Sequence, residues 1–220
     1  MKMIESIVFD LDGTLYQSIP EVDEELYLYW VSAIEKKLGL TREEAEQRFI
    51  EGKKIYKSST EVLRQMGFGT AYQIIRQAEV AYMPALSKNL QQDKRLEEML
   101  TRLRKEYNLA IITNSSIENV HGKLGLLGLS AGLFSAIVGI DEDGITKPHP
   151  RLFAALLNDL GKEASSILII GDRPEVDLFP AKKLGMRTVL VTWGKAFPDD
   201  PSVDYQVETV YDVEGLVNKF

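Results

Sequence analysis

At 220 residues the chain can form one large domain or a domain carrying a sizeable insertion, and either buries a core. Its 45% hydrophobic and 27% charged residues are ordinary for a globular protein, while a net charge of −7 argues against a dedicated nucleic-acid binder. With no cysteine, disulfides, thiolate metal sites and cysteine nucleophiles are excluded, and His121 and His149 alone make no convincing zinc site. The N-terminal apolar run is too short for a secretory signal, and no stretch approaches the ~20 apolar residues of a membrane helix. The sequence therefore reads as a soluble, cytoplasmic protein.

Ile4 to Phe9 is an apolar run rich in β-branched residues, too short for a core helix, and reads as a buried strand. It delivers Asp10-Leu11-Asp12-Gly13-Thr14. In an extended chain Asp10 and Asp12 share a side, and two such carboxylates repel unless a cation or a proton intervenes. Oxygen donors with no Cys or His beside them favour Mg²⁺. Gly13 permits a sharp turn, and Thr14 offers a hydroxyl and an N–H to an anion. The same five residues are also what a plain turn after a strand would contain.

From residue 17 to about 88 the pattern is helical. Val22 to Leu38, closed by Gly39, is one helix. Thr41-Arg42-Glu43-Glu44 reads as a capping box opening a second, through about Tyr56. Thr60 to Met66 and Ala71 to Met83 follow, the last ended by Pro84. The spacing predicts a helical domain, 17–88, inserted into a domain made of 1–16 and 89–220. In that second domain helices and strands alternate. Asp93 to Tyr107 is an amphipathic helix and Leu109 to Thr113 a strand. Residues 116 to 127 are helical, Ala136 to Gly139 a third strand, and Pro150 to Leu160 a helix. Ile167 to Ile170 and Thr188 to Val191 are two more strands, with a helix at Pro180 ended by Gly185 between them. A last helix spans Tyr211 to Phe220, after an exposed loop at Ala196 to Asp204. This alternation predicts an α/β fold, a doubly wound parallel sheet covered on both faces.

Open sheets of this kind gather the carboxyl ends of their strands in one crevice, so polar residues there are candidates for a site. The second strand ends in Thr113-Asn114-Ser115, either a helix cap or a phosphate cradle. Lys147 lies in Thr146-Lys147-Pro148-His149-Pro150, a rigid frame for an ammonium that neutralises a phosphate, or a surface lysine. His149 reads as a helix-start residue. The fourth strand ends in Gly171-Asp172-Arg173-Pro174-Glu175-Val176-Asp177. One of its two acids can bind metal while the other supports it, or both decorate a helix start.

These segments, in this order, resemble the haloacid dehalogenase (HAD) superfamily of phosphohydrolases, in the subgroup with a helical cap after the first core strand. Asp10-Leu11-Asp12-Gly13-Thr14 fits the first motif, Ile112-Thr113-Asn114 the second, Lys147-Pro148 the third, and Gly171-Asp172 with Asp177 the fourth. The resemblance implies a Rossmann-like core and an Mg²⁺-dependent phosphatase acting on a small phosphate monoester. It makes Asp10 the nucleophile that forms an aspartyl-phosphate, and Asp12 the acid for the leaving oxygen and then the base for water. Asp10, the backbone carbonyl of Asp12 and Asp172 would hold Mg²⁺, supported by Asp177. Thr113, Asn114, Lys147 and backbone N–H groups near Leu11 and Gly13 would cradle the phosphoryl group.

Within the resemblance, an acid at position 12 favours phosphate esters over carbon–halogen or phosphonate substrates. A sugar phosphomutase on the same core is the alternative. From a different class, a phospho-accepting signalling receiver would be shorter and would lack the helical insertion. A dinucleotide binder would carry Gly-x-Gly-x-x-Gly after the first strand, which is missing. The four acids intact speak against a silent interaction protein. Lys53, Lys54, Lys57 and Arg64 are either substrate-reading cations or a solvated helix face. Trp193-Gly194 either lines the cleft or packs under a loop. The expected partner is a small phosphorylated metabolite, with no nucleic-acid polymer and no membrane, and the chain is expected as a monomer or homodimer.

Overall fold

The computed structural model describes residues 3–56, 58–140 and 144–217. Its sheet is built from β1 (Ser6–Phe9), β2 (Asn108–Ser116), β3 (Ala136–Ile140), β4 (Ile167–Gly171), β5 (Arg187–Val191) and β6 (Tyr205–Val207). The six strands lie in the order β3-β2-β1-β4-β5-β6, each paired in parallel with its neighbours. From β1 the chain fills one side of the sheet and then crosses to β4 to fill the other, so the order reverses between β1 and β4, where such sheets open a crevice. Every residue of β1 and β4 is buried. Since alternate side chains point to opposite faces, both faces are covered, and the fold is the doubly wound α/β class.

The register sets the site. Phe9 pairs with both Ile111 and Ile170, so β1, β2 and β4 end level. The Asp10 N–H extends the ladder by one bond, donating to the Ile170 carbonyl at 2.8 Å. Around the sheet lie α5 (Lys94–Leu103), α6 (Ile117–Leu126), α7 (Pro150–Leu160), α8 (Phe179–Lys183) and α9 (Val213–Val217), after α1 to α4 described below. α5 shows how sequence makes such a helix. Asp93 caps it by accepting from the Leu96 N–H at 2.9 Å, and Leu96, Met99, Leu100 and Leu103 form its buried stripe.

The chain separates into two compact units. One is formed by the described residues of Met1–Gln17, Gln91–Ile140 and Thr146–Phe220, the other by those of Ser18–Leu90 and Asp141–Ile145. The second holds α1 (Pro20–Leu38), α2 (Arg42–Tyr56), α3 (Ser59–Gln65) and α4 (Ala71–Asn89). Its core is Trp30, Val31, Ile34, Ala45, Phe49, Val62, Leu63, Ile74 and Ala78. The Thr41–Glu44 capping box forms, with bonds of 2.8 and 3.3 Å, and Gly39 ends α1 in the left-handed conformation. Gly52 lets α2 approach α3, because a β-carbon there would sit 2.7 Å from Val62 Cγ1. No described helix is long and apolar enough to cross a membrane.

Several local expectations need correction. α4 does not stop at Pro84 but runs through it to Asn89. A proline removes the bond to the carbonyl four residues back, here Val80, and Val80 is 73% exposed, so that carbonyl sits on a solvated face. α5 ends at Leu103 and not at Tyr107. Its last turn tightens, with Glu106 and Tyr107 both donating to the Leu103 carbonyl, before Asn108 joins the sheet through Glu5. The five expected strands are six. β6 was hidden because Tyr205, Gln206 and Val207 form a short edge strand with no apolar run. Within the expected loop before it, Ser202 is buried, and its carbonyl accepts from the Thr188 hydroxyl at 2.6 Å. The last helix begins at Val213, after a 3₁₀ turn over Val210–Asp212, and its expected end at 218–220 lies outside the described residues.

Candidate active site

β1 carries Asp10 to the carboxyl edge of the sheet, where it is 2% exposed. Gly13, at φ 83°, then turns the chain, and a β-carbon at that position would lie 2.4 Å from Asp172 Oδ2. The turn thus admits the acid of β4 because its residue is glycine. The Thr14 N–H, offered to an anion in the sequence reading, is taken up by the turn itself, while the Thr14 hydroxyl has no hydrogen-bond partner among the described residues. The N–H donates to the Leu11 carbonyl at 3.3 Å, and the side chain is fully buried.

β4 supplies Asp172, and a single π-helical turn, Pro174–Leu178, brings Asp177 back toward it. Asp10, Asp172 and Asp177 each present an oxygen within 4.8 Å of the others. Lys147 is inserted among them, with its ammonium 2.7 Å from Asp10 Oδ1 and 2.6 Å from Asp177 Oδ1 and donating to the Ile112 carbonyl at 3.0 Å. Two of its protons go to Asp10 and the Ile112 carbonyl, and Asp177 adds an ion pair. Asn114 explains how Lys147 is held: its Oδ1 accepts from the Lys147 N–H at 2.7 Å and its Nδ2 donates to the Lys147 carbonyl at 3.4 Å. The Asn114 side chain is thereby occupied, leaving its backbone N–H as the group it can offer a ligand. Thr113 is buried, and its hydroxyl accepts from the Ser115 N–H at 3.2 Å.

Three acids face Lys147 within the cluster and Arg173 beside it, 3.8 Å from Asp172 Oδ1 and 3.9 Å from Asp177 Oδ2, so negative groups outnumber positive ones. Burial pushes the Asp10 carboxyl above its ordinary pKa; Lys147 opposes this and Asp177 adds to it. Asp172 is raised to about 7 by burial and then by Asp10 and Asp177. Burial alone would lower the Lys147 pKa, yet the facing Asp10 and Asp177 hold it above its ordinary value. Asp10 Oδ2, Asp172 Oδ1 and Asp177 Oδ1 are buried with no hydrogen-bond donor among the described residues; of these, Asp177 Oδ1 is ion-paired with Lys147 and Asp172 Oδ1 lies 3.8 Å from Arg173 Nε, while Asp177 Oδ2 accepts from the Arg173 N–H at 3.1 Å. Orphaned carboxylate oxygens in an all-oxygen donor set fit a hard divalent cation.

Asp12 sits in a different environment. Its Oδ1 accepts from the Tyr16 hydroxyl and from Lys123 Nζ at 2.6 Å, and its Oδ2 from Ser115 Oγ at 3.0 Å. Desolvation would raise its pKa, but 42% of its side chain is exposed and Lys123 prevails, so the carboxyl is held below its ordinary value. The sequence reading missed Lys123, Tyr16 and this role for Ser115. A signal was present: Lys123 lies on the inward stripe of α6, between Val120 and Leu124, where a lysine is out of place unless paired.

The remaining candidates fall elsewhere. His149 is the N-cap of α7, with Nδ1 accepting from the Arg151 N–H at 3.2 Å. Trp193 donates its indole N–H to the Gly13 carbonyl at 2.7 Å, bracing the turn after β1. Arg64 makes a two-pronged pair with Glu61, both bonds 2.7 Å, Lys54 is exposed, Lys53 is half-buried, and Lys57 lies outside the described residues.

Comparison with known proteins is consistent with this geometry. The chain is 28% identical over 199 residues to a glyceraldehyde 3-phosphate phosphatase of Pyrococcus abyssi, covering 88% of this chain and 83% of that protein. The fold superposes on a HAD phosphatase from Thermococcus onnurineus with a TM-score of 0.71 at 22% identity, over 97% of this chain and 98% of the other. It also superposes on a 2-haloacid dehalogenase from Pseudomonas syringae pv. Tomato DC3000, with a TM-score of 0.62 at 22% identity over 99% of each chain. Fold alone therefore does not separate ester from carbon–halogen chemistry. A sequence model of haloacid dehalogenase-like hydrolases matches residues 4–185, a span that runs from β1 past Asp177 and takes in every acid and both lysines described above. The chain belongs to the haloacid dehalogenase-like hydrolase family.

Proposed function

We propose that the protein is a phosphatase that hydrolyses the monoester of a small phosphorylated metabolite through an aspartyl-phosphate on Asp10, with Mg²⁺ as cofactor. The observation that carries this reading is the paired placement of two acids two residues apart. Asp10 is buried beside Lys147, Asp172 and Asp177, with one carboxylate oxygen orphaned, while Asp12 is half-exposed and hydrogen-bonded on both oxygens. Two carboxylates with different roles sit in unlike surroundings.

In this reading Asp10, Asp172 and the Asp12 carbonyl would hold the cation, with Asp177, already tied to Lys147 and the Arg173 N–H, as support. The cation supplies charge neutralisation for the phosphoryl oxygens. Asp10 attacks phosphorus as the ester P–O bond breaks. Lys147 steadies Asp10 Oδ1, and an arriving phosphoryl oxygen competes for one of its protons. Thr113 and the backbone N–H groups of Leu11, Gly13 and Asn114 line the strand ends where phosphoryl oxygens would sit. Asp12 protonates the leaving oxygen and later takes a proton from the water that opens the intermediate. The helical unit inserted after β1 acts as the cap that reads the rest of the substrate. A three-carbon sugar phosphate is the first to test, since the Pyrococcus abyssi relative is named for glyceraldehyde 3-phosphate. Such a metabolite sets the cytoplasm as the place of action.

The test is steady turnover of p-nitrophenyl phosphate and of glyceraldehyde 3-phosphate with Mg²⁺, and its loss in Asp10→Asn with the fold retained. Comparable activity in Asp10→Asn removes Asp10 as nucleophile, and one-time phosphorylation without turnover replaces the phosphatase with a phospho-accepting domain.

A further inference from the structure

Lys123 is 1% exposed, and its ammonium reaches Asp12 Oδ1 at 2.6 Å and Ser115 Oγ at 2.8 Å. A lysine is seldom buried so completely unless its charge is used. Its counter-charge is Asp12, whereas Lys147 pairs with Asp10 and Asp177. The bonds around Asp12 are also lopsided. Oδ1 accepts from both Lys123 and the Tyr16 hydroxyl, whereas Oδ2 accepts from Ser115 alone. Because Ser115 Oγ itself receives a proton from Lys123, its own proton points to Oδ2. A carboxylate oxygen has two lone pairs, so Oδ1 is filled by protein donors and Oδ2 keeps one position open.

We propose that Lys123, with Tyr16 and Ser115, is a positioning residue for Asp12: it anchors Oδ1 and so presents Oδ2 as the oxygen that carries the transferred proton. This deepens the phosphatase reading and rests on it. In the first step the bond from Asp10 to phosphorus forms, the ester P–O bond breaks, and the leaving oxygen takes the proton from Oδ2. Asp12 is then a carboxylate fastened by Lys123. In the second step the water oxygen bonds to phosphorus, the Asp10–phosphorus bond breaks, and the released proton returns to Oδ2. The Lys123 ammonium touches neither substrate nor the reacting atoms. Its work is to keep the carboxylate from turning, and misplacement of a proton-transfer group by ~1 Å costs up to about a hundredfold in rate.

The experiment uses substituted phenyl phosphates of nearly equal size, whose leaving groups range from nitrophenol to phenol, with Lys123→Met and Tyr16→Phe beside the wild type. The quantity read is kcat/KM, which reports the step in which the leaving oxygen departs. Good leaving groups need no proton and poor ones do. Lys123→Met is expected to lose about tenfold more on phenyl phosphate than on p-nitrophenyl phosphate, and Tyr16→Phe less but in the same direction. A crystal structure of Lys123→Met should show the Asp12 carboxylate in a changed rotamer. Equal losses across the series, or none, overturn the proposal and leave Lys123 a packing residue. Should Lys123→Met fail to fold, Tyr16→Phe and Ser115→Ala, each removing one bond to the carboxylate, decide by the same measure. If the wild type turns over none of these esters with Mg²⁺, the phosphatase reading itself fails, a result distinct from an unchanged leaving-group dependence.

Discussion

Lys147→Met tests the electrostatics of the site apart from its chemistry. The substitution keeps the bulk of a fully buried side chain but removes the charge between Asp10 and Asp177. Breaking a buried ion pair from one side costs about 3–5 kcal/mol, because the remaining charge has no counter-charge. Here three carboxylates are left within 4.8 Å. With a urea m-value of ~3 kcal/mol/M, the unfolding midpoint of the metal-free protein should fall by about 1–2 M at pH 8. The sign of the pH dependence follows from the carboxyls. Asp10 and Asp172 already have folded pKa values above the unfolded one of 3.8, and losing Lys147 raises them further. Below the unfolded value both states are protonated and the variant loses least. As pH rises through the folded values the cluster must ionise with only the half-exposed Arg173 beside it, and stability is lost. Urea unfolding at pH 4.5 and pH 8, with and without Mg²⁺, reads this directly. The deficit should be small at the lower pH, large at the higher, and partly recovered by Mg²⁺. A loss of the same size at both pH values, indifferent to Mg²⁺, would refute the account and mark Lys147 as a packing residue.

Metal binding should itself depend on pH, since the cation competes with the proton on Asp172, whose pKa is raised to about 7. Isothermal titration of the protein with Mg²⁺ should show apparent affinity falling about tenfold per unit below pH 7 and levelling off above it; a flat profile from pH 5.5 to 8 would remove Asp172 from the ligand set. Gly13→Ala should disturb the same group from the other side, because the added methyl meets Asp172 Oδ2 at 2.4 Å and φ is 83°. Mg²⁺ affinity is expected to weaken by ~10–100-fold with little change in the helical unit, and an unaltered affinity would mean that the turn after β1 does not shape the cation site.

The broad architecture was legible because its signals are local and repeated. A buried parallel strand is a short unbroken apolar run, so β1, β2, β4 and β5 could be read off directly, and the polar residue following each run marks the crevice. The two kinds of failure have distinct physical causes. Pro84 was read as a stop because a proline is an intrinsic helix breaker, but tertiary burial of Leu86, 1% exposed, carries α4 past it. β6 was missed because an edge strand needs no apolar pattern: its pairing to β5 is made by the backbone. In the site, Asp10, Asp172 and Lys147 stood out by position, each just past a strand end or beside a proline. Lys123 did not, because its partner is 111 residues away in sequence and only the folded chain brings the two together.

That second lysine changes what the first motif means electrostatically. Asp10 and Asp12 have the same side chain, are two residues apart and share one turn, yet their carboxyls are shifted in opposite directions. Asp10 is raised by burial among like charges, and Asp12 is lowered because its half-exposed carboxylate has Lys123 to itself. A nucleophile must be ionised when it attacks, and burial among like charges works against that at Asp10 while Lys147 works for it. A divalent ion held by Asp10 and Asp172 would offset that penalty, while Asp12 has a separate ammonium in Lys123. In the proposed mechanism Lys147 and the cation would serve one carboxylate and Lys123 the other, so that metal binding would favour the ionised form of Asp10 while Lys123 keeps Asp12 in place.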